Sequence, residues 1–134
     1  MRRLLLAVLC VLAVASCGEP PSREYYIHSD GTGEYSFDVA FGDSLGVYDL
    51  SLYASIAAPV FVKDTLQSFP LQLVWRSPSG RYFSETVYYP ASEAVVPYRS
   101  GVTPSEPGLW NISVTVFLED RRRLRGLGLR VVRR

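Results

Sequence analysis

The residue with the most decided chemistry is Cys17, in the stretch Leu12-Ala13-Val14-Ala15-Ser16-Cys17-Gly18. A thiol serves as disulfide partner, metal ligand, nucleophile or acylation site, and the residues before it choose among these. Met1-Arg2-Arg3 is basic, Leu4 to Val14 is apolar without a charge, and Ala15 and Ser16 are small. That is the three-part form of a secretory signal, too short to cross a bilayer as a permanent helix. Val14-Ala15-Ser16-Cys17 resembles the bacterial lipobox, in which the thiol takes diacylglycerol and a peptidase then cuts just before the cysteine. Cys17 is therefore expected to open the mature chain and to carry lipid, each buried methylene contributing about 0.8 kcal/mol to membrane binding. Gly18 stands where an aspartate would signal inner-membrane retention, so the outer membrane of a Gram-negative bacterium is the expected destination. Cys10 is the only other cysteine and lies in the expected leader. No disulfide, thiolate nucleophile or cysteine metal site is then expected.

The remaining chemistry is sparse. His28 is the single histidine, and without a cysteine or a cluster of carboxylates it cannot close a zinc site. The carboxylates are scattered singly. No Gly-x-Ser-x-Gly elbow, phosphate-cradling loop or dinucleotide fingerprint occurs, and Gly126-Leu127-Gly128 is too short to be one. The expectation is a protein that is not an enzyme and uses no cofactor or metal.

Two features stand above this background. Seven arginines fall within residues 121–134, with Arg121, Arg122 and Arg123 consecutive. They read either as a contact for lipid phosphates or a partner protein, or as a solvated turn before a last strand with Arg130 facing outward. The chain also holds nine tyrosines, six phenylalanines and two tryptophans. Tyr53, Tyr82 and Tyr88 are candidates for a sugar- or protein-binding face, with ordinary sheet packing as the alternative.

The elements that must carry these residues repeat with a period of two. Tyr35, Phe37, Val39 and Phe41 alternate with polar residues, as do Tyr48, Leu50, Leu52, Ala54 and Ile56. Leu71, Leu73 and Trp75 form a third set, and Phe83, Glu85, Val87 and Tyr89, or alternatively Tyr82, Ser84, Thr86 and Tyr88, a fourth. Trp110, Ile112, Val114, Val116 and Leu118 continue the pattern, which ends with Leu127, Leu129 and Val131. These runs are aromatic and β-branched, with turn chemistry between them at Ser77-Pro78-Ser79-Gly80 and Glu106-Pro107-Gly108. No segment of helical period is long enough for a stable helix. Six or seven antiparallel strands with one apolar face each predict a mainly-β fold. The expected form is a single two-sheet β-sandwich of Ig-like or jelly-roll type, with a closed barrel as the alternative. Residues 1–16 are read as the signal, 17–30 as lipidated terminus and tether, and 31–134 as the sandwich. Ala91 to Ser105 has little periodicity and two prolines, and reads as a long crossing connection.

Removing Arg2 and Arg3 from 14 basic residues leaves 12 against 13 acidic ones, a mature balance of minus one. Near-neutrality gives no global argument for nucleic acid, and export removes the chain from it.

In order and spacing, these segments resemble the gliding-motility lipoprotein GldH family of the Bacteroidota. The resemblance rests on Tyr48–Ile56 (YDLSLYASI), on LQLVWRSPSGRYFSETV from Leu71, and on EPGLWNISVTV from Glu106 followed by LRGLGLRVV from Leu124, all behind a lipobox. It implies an outer-membrane-associated, non-catalytic component of gliding machinery or of the allied protein-secretion system, with membrane and envelope-protein partners. Only Cys17 transfers by position, as the lipid site. The run Arg121–Arg123 is not part of the family pattern. In that phylum short Asp-Ser/Thr-apolar triplets accept periplasmic O-glycans, which makes Ser44 in Asp43-Ser44-Leu45 and Thr65 in Asp64-Thr65-Leu66 candidate acceptors. Asn111-Ile112-Ser113 has the N-glycosylation form but lies in an expected strand of a bacterial protein, and is discounted.

Overall fold

In the computed structural model, which describes residues 21–42, 46–56 and 68–134, the alternation becomes eight strands. They are β1 (Ser22–His28), β2 (Glu34–Phe41), β3 (Tyr48–Ile56), β4 (Phe69–Arg76), β5 (Tyr82–Tyr89), β6 (Val95–Val102), β7 (Gly108–Val116) and β8 (Leu124–Arg133). One sheet has the order β1-β8-β3-β6 and the other β2-β7-β4-β5. Every ladder is antiparallel.

The pairings are nested. β4 pairs with β5, β3 with β6, β2 with β7 and β1 with β8. This is the pairing of one long hairpin, bent at its middle and then rolled until β8 also meets β3 and β7 meets β4. The expected two-sheet sandwich is thus of the jelly-roll type, and the sheets do not merge into a barrel. The bend is the Ser77-Pro78-Ser79-Gly80 turn. Ser77 N–H donates to Arg81 O at 2.7 Å and Gly80 N–H to Ser77 O at 3.0 Å. Gly80 has φ +91°, a conformation that glycine adopts without a Cβ penalty.

The core lies between the sheets. Tyr35, Phe37, Val39, Phe41, Leu71, Leu73, Trp75, Ile112, Val114 and Val116 face Tyr48, Leu50, Leu52, Leu127, Leu129 and Val131, all buried. Each such side chain contributes about 1.5–3 kcal/mol by leaving water, which is why the two-residue period decides which face turns inward.

Three boundaries differ from the sequence reading. The tether expected through residue 30 gives way at Ser22 to β1, an edge strand paired with β8 from Ser22↔Val132 to His28↔Gly126. Its inward residues Arg23, Tyr25 and Ile27 are only half-buried, so its apolar signal is weak. The connection expected over Ala91–Ser105 contains β6. Pro97 and Gly101 obscure that strand, and both are tolerated because β6 is an edge whose ladder to β3 is broken by register shifts. Finally, β7 stops at Val116 and leaves Leu118, in phase by spacing, 76% exposed.

The outer face of the first sheet explains Gly126 and Gly128. Tyr53 lies across Gly128, where an added Cβ would stand 2.0 Å from its ring, and Tyr26 covers Gly126 in the same way. The two rings stack at 5.9 Å with a 14° interplanar angle, and the Tyr53 hydroxyl donates to Tyr25 O at 3.1 Å. The glycines clear space for tyrosines to lie flat on a central strand.

Candidate functional site

At the end of the sandwich where β1 begins, the two sheets part into an open cleft of about 430 Å³. That is within the size range of small-molecule sites. Trp75, at the end of β4, and Trp110, near the start of β7, lie at its floor. The hairpin turn delivers Ser77 and Arg81, β5 begins with Tyr82 and Phe83, and β6 ends with Arg99, Ser100, Gly101 and Val102. Thr103, Pro104 and Ser105 complete the lip.

A hydrogen-bonded relay fixes one wall. Trp75 Nε1 donates to the Tyr98 hydroxyl at 2.8 Å, and that hydroxyl donates to Glu85. The Glu85 carboxylate also accepts from Arg99 Nε at 3.1 Å and Nη2 at 2.7 Å. The Arg99 guanidinium lies 5.4 Å over the Phe83 ring, which in turn stacks on Trp75 at 5.5 Å and 17°. Charge and aromatic faces are thus preorganised across the open edges of both sheets.

The relay shifts the acid–base behaviour of its members. Partial burial works to raise the Glu85 carboxyl, but the hydrogen bonds from Arg99 and Tyr98 outweigh it and hold it below the usual carboxylate range. Burial, with the Glu85 carboxylate beside it, pushes the Tyr98 hydroxyl up to about 12. A depressed carboxyl contributes stability at pH above its unfolded value, lost as pH falls through the folded value. Urea midpoints are accordingly expected to drop as pH is lowered through and below 4.5, with part of that drop missing in Glu85→Gln. An identical acid limb in the variant would remove Glu85 from the account. The raised tyrosine has the opposite window. Its stability is complete below 10 and is lost as pH rises toward 12.

The cleft lining combines hydroxyl, guanidinium and aromatic groups. The Ser77 hydroxyl shares a hydrogen bond with Ser79 Oγ and accepts from Arg81 N–H, which ties it into the turn, and the Glu106 carboxylate lies beside the same two serines.

The residues singled out by sequence do not gather here. Cys17, Ser44 and Thr65 lie outside the described residues. Arg121–Arg123 form a single turn of 3-10 helix at the opposite end of the sandwich. Arg121 donates from Nε to Val116 O at 3.2 Å and packs over Gly33, which ties it to that end of the fold. Arg123 reaches Asp120 at 3.8 Å, and the Arg122 side chain is outside the description. Arg130 faces outward as expected and pairs with Glu24 at 2.8 Å. His28 is exposed, its ring edge-on to Tyr26 at 5.0 Å. Tyr53 does not share a face with Tyr82 and Tyr88: it covers the first sheet, while they stand on the edge strand of the second. Of the three, only Tyr82 reaches the cleft.

Arg81, Phe83, Tyr98 and Arg99 were not legible as a site, because β5 and β6 belong to different sheets and meet only through the roll of the chain. Compared with known proteins, the chain matches no family model and no curated protein.

Proposed function

We propose that this chain is a lipid-anchored, non-catalytic component of the bacterial envelope, serving gliding motility or an allied protein-secretion assembly as its sequence resemblance implies. The observation that carries the reading is the closeness of the lipobox to the fold. Gly18 to Pro21 alone separate Cys17 from β1, a reach of at most about 17 Å of chain. A sandwich joined so directly to an acylated cysteine would ride at the bilayer surface with the cleft end toward the lipid. An outer-membrane location follows from Gly18 under the same reading.

Labelled palmitate is expected to enter the wild-type protein and not Cys17→Ala, which should also leave the membrane fraction. Equal labelling of both would sink the anchor. Crosslinking in cells is expected to recover motility or secretion-system components, and recovery of glycan-uptake components alone would overturn that assignment.

A second reading has its own observation. Tyr82 stands 72% exposed at the mouth of a cleft that carries hydroxyls and guanidinium groups, which favours a surface lipoprotein that binds a glycan or a protein.

A further inference from the structure

Each sheet ends in two edge strands, and three of the four carry a feature that discourages a further strand. β6 has Pro97 and a ladder to β3 broken by register shifts. β1 turns Arg23 inward and β5 turns Glu85 inward, charges that an added neighbour would have to bury. β2 has none of these. Its eight residues include no proline, glycine or lysine, and its inward residues Tyr35, Phe37, Val39 and Phe41 are at most 2% exposed. Its ladder to β7 runs from Glu34↔Thr115 to Phe41↔Gly108 without a shift. A long, regular edge of this kind is a template for another strand.

The free side of β2 can be assigned atom by atom. Val116 N–H donates to Gly33 O at 2.7 Å, one residue beyond the Glu34↔Thr115 pair, so Gly33 and Val116 are a hydrogen-bonded pair. Alternation then commits Tyr35, Phe37, Val39 and Phe41 to the β7 ladder and turns the N–H and C=O of Glu34, Ser36, Asp38 and Ala40 away from it. Glu34 N–H reaches Thr32 Oγ1 at 3.3 Å, while the backbone groups of Ser36, Asp38 and Ala40 meet no partner among the described residues.

The surroundings define what would pair there. Glu85 ties β5 to β6 through Tyr98 and Arg99, so β1 and β2 are the edges on the other side of the sandwich. On that side the inward side chains of β2 are fully covered, but Tyr25 and Ile27, which β1 turns inward, stay half-buried. β1 therefore overhangs β2, and a strand added beside β2 would lay every second side chain over Tyr25 and Ile27. Those positions favour apolar residues. The alternate side chains would stand beside Glu34 and Asp38, on a face where β7 contributes Leu109, Asn111, Ser113 and Thr115 and no charge. Asp38 Oδ1 accepts from Asn111 at 2.9 Å, and neither carboxylate has an ion pair among the described residues. Opposite charges across a strand pair are favourable and like charges are not, so these positions favour lysine or arginine. A second copy of β2 would instead bring its own Glu34 and Asp38 among the same carboxylates.

We propose that β2 is a docking edge that takes up an extended segment of a partner protein, apolar at alternate positions and basic between them. The segment adds a fifth strand to the β2-β7-β4-β5 sheet and covers Tyr25 and Ile27. The inference goes beyond the envelope reading and needs neither the lipid anchor nor a role in motility.

The probe is a capped peptide matching the eight residues of β2 in length, with valine alternating with lysine and threonine. Binding to the folded chain is expected to saturate and to slow amide hydrogen exchange at Ser36, Asp38 and Ala40, while amides already bonded to β7 change little. The same peptide N-methylated at the amides that face β2, or rearranged to lose its alternation, should bind at least about tenfold more weakly. Asp38→Lys should cost about fivefold in affinity for the lysine peptide and turn the preference toward a peptide with glutamate in its place. Ala40→Pro removes an edge N–H that β7 does not use and should abolish binding, with a urea midpoint to separate that loss from misfolding. Equal affinity for the N-methylated peptide, protection away from β2, or absence of saturation would overturn the proposal. An unchanged preference in Asp38→Lys would overturn the basic assignment. Dimerisation of the chain that protects the same three amides and excludes the peptide would make the occupant a second copy and refute the partner.

Discussion

Trp75→Ala should destabilise the domain by about 3–5 kcal/mol, the range for truncating a core aromatic. Trp75 is only 3% exposed and packs against three other rings: Phe83 at 5.5 Å, Trp110 at 6.1 Å and Tyr98 at 6.2 Å. The substitution also removes the indole donor to the Tyr98 hydroxyl, adding a lost hydrogen bond to the cavity. A domain of this kind holds about 5–15 kcal/mol in total, so the variant would sit near the limit of folding. The measurement is a urea midpoint at constant slope. Leu118→Ala, at an exposed position in the same chain, should fall within about 0.5 kcal/mol of wild type. A Trp75→Ala cost below about 1 kcal/mol would contradict the packing described for the core.

The second large effect sets two principles against each other. Valine is favoured over glycine in strands, on a scale that spans about 1 kcal/mol, so propensity alone predicts that Gly128→Val in β8 stabilises. The structure predicts the reverse. A Cβ at that position meets the Tyr53 ring at 2.0 Å, and moving the ring breaks its stack on Tyr26 and its hydrogen bond to Tyr25 O. Overpacking of this sort costs about 1–3 kcal/mol, which exceeds the propensity gain. Gly128→Val is therefore expected to lower stability, and Tyr53→Ala in the same chain to recover part of the loss. Strictly additive costs in the double variant would show that the two positions do not meet in the way described.

These tests touch both what sequence made legible and what it hid. Trp75 and Trp110 could be placed in the core because each falls in phase with apolar neighbours, and they are 3% and 8% exposed. The same logic recovered the faces of β2, β3, β4 and β8, where one side meets water and the other meets the opposite sheet. It failed where an edge strand has no such contrast. β1 turns inward Arg23, Tyr25 and Ile27, half-buried all, and β6 carries Pro97 and Gly101, which in a local reading break strands. The cleft was hidden for a different reason. Its lining is gathered from the ends of β4, β5, β6 and β7, which come from both sheets and lie far apart in the chain. The glycines at 126 and 128 did leave a trace, a two-residue spacing inside an otherwise bulky strand. Its meaning depended on tyrosines some 75 to 100 residues earlier in the chain.

β1 has a mechanical consequence. Its first residue is where tension from an acylated terminus would enter the sandwich, and its seven residues are paired with β8 along their whole length. A pull along the strand axis strains those interstrand bonds side by side, so that many must rupture in one event. A pull at right angles opens them singly, as a zipper does. The same molecule would then hold firm when dragged lengthwise and yield early when levered away from the membrane, a directional strength set by where the chain enters its outermost strand.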